Sequence, residues 1–312
     1  MFQTILEQTL NLTIFVIVLR MTVPILLAAL GGLLTDLAGV VNIGLEGQML
    51  ISAFTSIVIA GATGNWLLGV LAGIAATVFI SFLMGVFSLN LGVDIIITGF
   101  VVNALGSSLT IFLMGLLFNT VGNYSPDNLS KIPTIQIPFI DEIPYVGTLL
   151  SGHSLFVWVS LFAVLFVFYL LYRTPYGFHL RAVGESPEAA NSLGISVLKI
   201  KYSALLWSGV FTGLAGAYYS IGMTSMFVKD MTAGTGFLAL AVVMFGNRNP
   251  IGILIGSLIF GFASAIAIIV ETVPNSPIPS QFIKMIPYIV TVIALVIYAL
   301  RKKNKMTALT DY

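Results

Sequence analysis

The chain has 312 residues, of which 58% are hydrophobic and only 8% charged, against roughly 25% charged in an ordinary soluble domain. That contrast excludes a soluble enzyme and a disordered segment, and a net charge of +1 leaves no basic surface for nucleic acid. Cysteine is absent, and the two histidines, His153 and His179, stand too far apart for a common metal motif, so no metal site is expected. The composition is that of an all-α polytopic bundle, a single transmembrane domain over 1–312 in contact with membrane lipid.

In chain order, no charge occurs in Gly47–Val93, Ile95–Pro126, Ser154–Tyr172, Tyr202–Val228, Asn249–Val270 or Met285–Leu300. Lipid offers backbone groups no partner except one another, so such runs predict spanning helices. We place spans near 9–34, 37–62, 66–89, 94–118, 154–173, 202–222, 234–247, 251–271 and 284–300. The seventh is short for roughly 30 Å of hydrocarbon and reads as broken or re-entrant, which gives about eight to ten spans. The first apolar stretch lacks a basic leader and a cleavage site and is expected to be a retained span.

Basic residues set the orientation. Arg173, Arg181, Lys199 and Lys201 cluster in one connection, and Arg301, Lys302, Lys303 and Lys305 in the tail at 301–312. Both are expected on the cytoplasmic side of the cell membrane, carboxyl terminus included. Alternation then puts Arg248 inside and Lys131, Lys229 and Lys284 outside. The connection 119–152, with four prolines and one basic residue, predicts an extended external flap. The cytoplasmic loop at 174–200 differs in kind. Within it Ser186 can cap a helix, Pro187 suits the first turn, Glu188 suits its positive end, and Gly194 can close it. Such a helix is either a docking element for a partner or an interfacial loop helix.

Three stretches, GVVNIGLEGQ at 39–48, RTPYGFHLRAVGE at 173–185 followed by SPEAANSLGIS, and GTGFLALAVVMFGNRNPIG at 234–252, resemble the permease subunits of ABC importers. The resemblance covers roughly 20–300. It is to the branch shared by ribose, branched-chain amino acid and nucleoside importers, with NIGLEGQ nearest the nucleoside permeases. It implies a bundle with an inverted repeat, a separate ATPase subunit, a second related permease and an extracytoplasmic substrate-binding lipoprotein. No GxxxxGK[ST] pattern occurs in the chain, so no cofactor of its own is expected and ATP belongs to the partner. By the same resemblance, Gly184, Glu185, Ser186, Pro187, Glu188, Ala189, Ala190 and Gly194 form the ATPase-coupling element.

The polar residues inside the spans are few. Gly39, Gly44 and Gly47 weaken helix continuity around Asn42, Glu46 and Gln48. A carboxylate at the bilayer centre costs on the order of 3 kcal/mol, so Glu46 must face protein or a water-filled path. Asn103 and Ser107, four apart on the fourth span, share a face. These five residues are the candidate lining of a pathway for a polar, neutral solute. The alternative for each is helix-to-helix hydrogen bonding, or for Glu46 the capping of a neighbouring turn. Lys229–Asp230 reads as a turn at the outer mouth, and Arg20 as a partner for Asp36 or Glu46.

The function expected is import of nucleosides, with a simple sugar such as ribose or a branched-chain amino acid as the alternative on the same architecture. An ion-coupled secondary carrier would want an embedded relay of acids or histidines, and here Glu46 and Arg20 are the main material. An enzyme is excluded by the lack of clustered nucleophile, base or metal ligands.

Overall fold

The computed structural model describes residues 13–120, 122–130, 132–136 and 151–272, then 279, 282–283, 285–293 and 296. Ten α-helices run in order among them: α1 (Thr13–Leu37), α2 (Leu45–Thr63), α3 (Trp66–Gly85), α4 (Ile95–Phe118), α5 (Leu155–Arg173), α6 (Pro175–Glu185), α7 (Pro187–Ser192), α8 (Val197–Ala217), α9 (Thr235–Phe245) and α10 (Pro250–Thr272). Six of these helices are long and apolar enough to cross a membrane, α1 to α5 and α10. The 21-residue α8 is less apolar because its first turns carry Lys199 and Lys201. The protein is a multi-pass membrane bundle.

Most expected spans coincide with helices, and the differences have local causes. The second starts at Leu45, not 37, because Gly39 turns the chain at φ +70° and the Asn42 side chain holds the Gly44 amide. The third and sixth continue into π-helical turns, Val86–Asn90 and Tyr218–Thr224. The seventh is the 11-residue α9, about 16 Å long, half of the hydrocarbon thickness. The beginning of the first expected span, residues 284, 294–295 and 297–300 of the ninth, and the tail lie outside the described residues.

Helix α1 is buried on nearly every side, with Leu26, Leu27, Leu30, Leu33 and Leu34 at its core, and α8, α10 and α9 pack beside it. A helix apolar all round belongs at such a centre. Close approach, not apolar area, drives the packing, since lipid tails are as apolar as leucine. Gly209 and Gly213 of α8 meet α3 so closely that a Cβ would fall 2.9 Å from the Val78 Cα and 2.8 Å from the Ile74 Cα. The outer faces of α3 and α4 carry exposed Leu71, Phe79, Phe100 and Phe112.

At one end of the bundle the flap forms two antiparallel ladders: β1 (Asn123–Tyr124) with β4 (Phe227–Val228), and β2 (Thr134–Ile135) with β3 (His153–Ser154). Residues 137–150 of the expected flap lie outside the described residues. The other end carries α6 and α7.

Candidate functional site

The chain break before α2 and the start of α9 meet inside the bundle. Glu46 lies in the first turn of α2, where only 9% of its surface is exposed. Its Oε1 accepts the Thr232 hydroxyl at 2.6 Å and the Gly234 amide at 2.8 Å, and Oε2 accepts the Gly236 amide at 2.6 Å. The carboxylate therefore occupies the amino-terminal end of α9, where free N–H groups and the helix dipole favour negative charge. Local sequence makes this possible. Ala233 and Gly234 both adopt positive φ, which turns the amides of the incoming chain toward one point.

Asn42 and Gln48 form a second, fully enclosed group. Asn42 Nδ2 donates to Gln48 Oε1 at 3.1 Å and to Ser208 Oγ at 2.9 Å, while its Oδ1 takes the Gly44 amide. Gln48 Nε2 donates to Ser81 Oγ at 3.0 Å, and Gln48 Oε1 also accepts the Thr212 hydroxyl at 3.0 Å. Both side chains have zero exposure. The network ties α2 and its preceding turn to α3 and α8, and each polar atom in it has a partner.

Asn103 and Ser107 stand on α4 one turn apart, with different partners. Asn103 Oδ1 accepts the Gly47 amide at 2.8 Å, and its Nδ2 donates to the Ile43 carbonyl at 3.0 Å. Helix α4 comes this near because Gly106 faces Gly47, where a Cβ would lie 2.6 Å from the Gly47 Cα. Ser107 instead donates to Asp230 Oδ1 at 2.6 Å on an exposed face. Glu46, Asn103, Ser107 and Asp230 thus gather at the junction of α2, α4 and α9, while Asn42 and Gln48 point away into the α3–α8 side.

At the other end Ser186 caps α7 through the Ala189 amide at 3.4 Å, and Gly194 closes it at φ +81°. Pro187, Glu188 and Ala189 are exposed, Ala190 is buried, and Leu193 just beyond is 81% exposed. The preceding α6 fixes this helix to the bundle. Gly184 lies against the Leu37 carbonyl and Gly39, and the Tyr176 hydroxyl meets Ser203 Oγ of α8 at 2.9 Å. Glu185 and Asp36 both pair with Arg248, at 3.2 and 3.0 Å.

Residues 14–295 match the family of branched-chain amino acid transport system permease components. The chain belongs to this family. A guanosine ABC transporter permease protein of Bacillus subtilis (strain 168) is 35% identical over 285 residues, 87% of each chain. A nucleoside ABC transporter permease protein of Lactococcus lactis subsp. cremoris (strain MG1363) is 34% identical over 298 residues, 92% of this chain and 93% of that one. A putative glucose ABC transporter permease protein of Haloferax volcanii (strain ATCC 29605) is 30% identical over 301 residues, 90% and 89% of the two chains.

In this ABC permease, Arg20 pairs with neither expected partner: Asp36 is held by Arg248 and Glu46 by α9. Arg20 lines a cavity of about 200 Å³ together with Thr134, Ser154, Tyr218 and Ser225. Sequence reasoning passed over Ser81, Ser208, Thr212 and Thr232. The four-residue spacing of Ser208 and Thr212 in an apolar run was the available signal for a polar stripe on α8. Asp230 bonds to Ser107, the thirteenth of the 24 residues of α4, while the Lys229 amide beside it donates to the Gly122 carbonyl of the flap.

Proposed function

We propose that this chain is the permease subunit of an ATP-driven nucleoside importer, with hydrolysis on a separate ATPase chain. A second related permease faces it, and an extracytoplasmic lipoprotein delivers the substrate. The observation that carries the substrate is the identity of 34–35%, over most of the chain, to permeases named for guanosine and nucleosides. The relative named for glucose, at 30%, favours a simple sugar as the second reading. On this reading high affinity resides in the lipoprotein, and the permease offers a short polar passage between outward-open and inward-open arrangements.

The α6–α7 end is assigned to the cytoplasm by Arg173, Arg181, Lys199 and Lys201, and the tail is placed on the same side. There α7 presents Glu188, Ala189 and the exposed Leu193 as the contact for the ATPase. Its anchoring through Gly184 and Arg248 supports transmission of movement to α1 and the α9–α10 turn.

The test is uptake of a labelled purine nucleoside by cells with and without the gene, competed by unlabelled nucleosides, sugars and amino acids. Loss of uptake competed by nucleosides alone is expected, and competition by sugars instead moves the assignment to the second reading. In the same cells Glu188→Lys and an arginine at position 189 should abolish uptake while the protein stays in the membrane. Normal uptake by both variants would remove α7 from the coupling role.

A further inference from the structure

Ser107 divides α4 almost equally, with about 18 Å of helix on either side of it. In a hydrocarbon layer of roughly 30 Å that depth is the middle of the bilayer. The carboxylate of Asp230, hydrogen-bonded to Ser107 at 2.6 Å, stands at the same depth. Glu46, the other acid here, is enclosed and accepts three hydrogen bonds; Asp230 is exposed and accepts one. Its Oδ2 has no hydrogen-bond partner among the described residues.

An exposed carboxylate at this depth cannot rest against lipid without a cost on the order of 3 kcal/mol. The backbone gives it no freedom to withdraw. Asp230 is fixed at φ +53° by a turn in which its carbonyl accepts the Ala233 amide and the Val228 carbonyl accepts the Met231 amide. That turn is held below by Thr232 on Glu46 and from the side by the Tyr288 hydroxyl on the Ala233 carbonyl. The carboxylate is thus held in one place, exposed, beside α4 and a few residues before the start of α9, on which Phe237 is exposed as well.

We propose that this exposed surface is a wall of the translocation path, and that Asp230, positioned by Ser107, binds the vicinal hydroxyls of the ribose of a passing nucleoside. The proposal rests on the nucleoside reading above and adds to it the part of the substrate recognised and the residue that recognises it. The chemistry is specific. A carboxylate presents acceptor sites only, so it suits two neighbouring O–H donors and gains the strength of charge-assisted hydrogen bonds. The exposed ring of Phe237 offers the base an apolar surface nearby. A single contact of this kind suits a passage from which the solute must also leave.

The absence of cysteine from the chain supplies the test. Ala104→Cys, one turn before Ser107 on α4 and exposed, and Asp230→Cys are made singly in the full transporter. Leu165→Cys, on the exposed face of α5, serves as the lipid-side comparator. Each is treated with a charged, membrane-impermeant thiol reagent, alone, with saturating purine ribonucleoside, or with its 2′,3′-dideoxy analogue. Only thiolate reacts, and an apolar surrounding raises a thiol's pKa, so the two path positions should react at least about tenfold faster than Leu165→Cys. The Ala104→Cys variant keeps both the Asp230 carboxylate and Ser107, and there the ribonucleoside should slow the reaction several-fold while the dideoxy analogue leaves it unchanged. A site built to bond hydroxyls rejects an analogue that lacks them.

Reaction no faster than at Leu165→Cys overturns the path. Equal protection by both analogues, or none in a transporter whose parent form takes up nucleosides, overturns the ribose contact alone. A parent form that takes up no nucleoside overturns the nucleoside reading itself and the ribose contact with it.

Discussion

Glu46 and Gly236, 190 positions apart, are joined by a hydrogen bond of 2.6 Å that seats a carboxylate on the amino-terminal end of a half-length helix. Membrane interiors demand internal partners for backbone groups, and a helix that begins halfway across has several free amides there. Glu46 supplies acceptors for two of them and for the Thr232 hydroxyl. Glu46→Gln keeps the shape but turns an N–H₂ group toward an amide or hydroxyl donor. We expect it to destabilise the protein by about 2–4 kcal/mol, as for the loss of a buried charge-assisted bond. The measurement is the thermal midpoint of the purified transporter in detergent; an unchanged midpoint would dismiss the capping role.

Much of this is legible in the amino-acid sequence itself. Charge-free runs gave the spans because a spanning helix needs only length and apolarity, and the half-length helix followed from the short run at 234–247. The Ser186 cap and the Gly194 stop were readable because capping is local chemistry. The pairing of polar groups was not readable. Asn42 meets Ser208 across 166 residues and Asp230 meets Ser107 across 123. Spacing along one helix shows only which residues share its face. For this reason the four-residue spacing of Asn103 and Ser107 says nothing of their separate partners, and Arg248 lies between two acids that no periodicity connects.

The enclosed Asn42 network predicts a loss of stability without a change in substrate handling. Asn42→Ala leaves Ser208, Gln48 and the Gly44 amide short of a partner. Bonds of this kind in membrane bundles are worth roughly 0.6 kcal/mol each, so a total of about 2 kcal/mol is expected. Uptake should fall only in proportion to the protein present in the membrane, with the concentration dependence unchanged. A shift in that dependence at equal expression would instead make Asn42 a substrate contact.

Close approach of α2 and α4 can be tested separately from the polar groups. Gly106→Ala would put a methyl group 2.6 Å from the Gly47 Cα and carbonyl oxygen, a backbone contact that no rotamer relieves. The helices must part, which stretches both bonds of Asn103, to the Gly47 amide in the first turn of α2 and to the Ile43 carbonyl before it. Overpacking of this sort costs about 1–3 kcal/mol. Reduced protein level and a lowered thermal midpoint are expected, whereas Gly115→Ala, with nothing within 4 Å, should leave both unchanged.

Tyr176 gives the α6–α8 contact a dependence on alkali. Burial pushes its hydroxyl above the ordinary tyrosine value, and the hydrogen bond to Ser203 opposes that with smaller effect. The folded protein therefore holds this proton more tightly than the unfolded chain. Its contribution is complete below about pH 10 and is lost as the pH rises further, through the folded value. Tyr176→Phe should flatten the alkaline fall of the thermal midpoint; an identical alkaline arm would show that the group is not sensed.

Arg248 is the last test, because it separates stability from coupling. Its two ion pairs are half open to solvent, with 55% of the arginine side chain exposed, so together they contribute at most about 1 kcal/mol. Their geometry matters more than their energy. Asp36 ends α1, Glu185 ends α6 immediately before the capped α7, and Arg248 sits in the turn between α9 and α10, held at φ +57°. Arg248→Ala therefore cuts the side-chain link from α7, the ATPase contact we propose, to the half-length helix while leaving the core intact. We expect a thermal midpoint within a degree or two of the parent, as such a small energy implies. Nucleoside uptake per ATP hydrolysed in reconstituted vesicles should drop several-fold, because closure of the ATPase would no longer be passed to α9. Glu185→Gln should lose less, since it breaks one of the two pairs. A ratio equal to the parent's in both variants would show that movement passes through the Gly184–Leu37 packing instead.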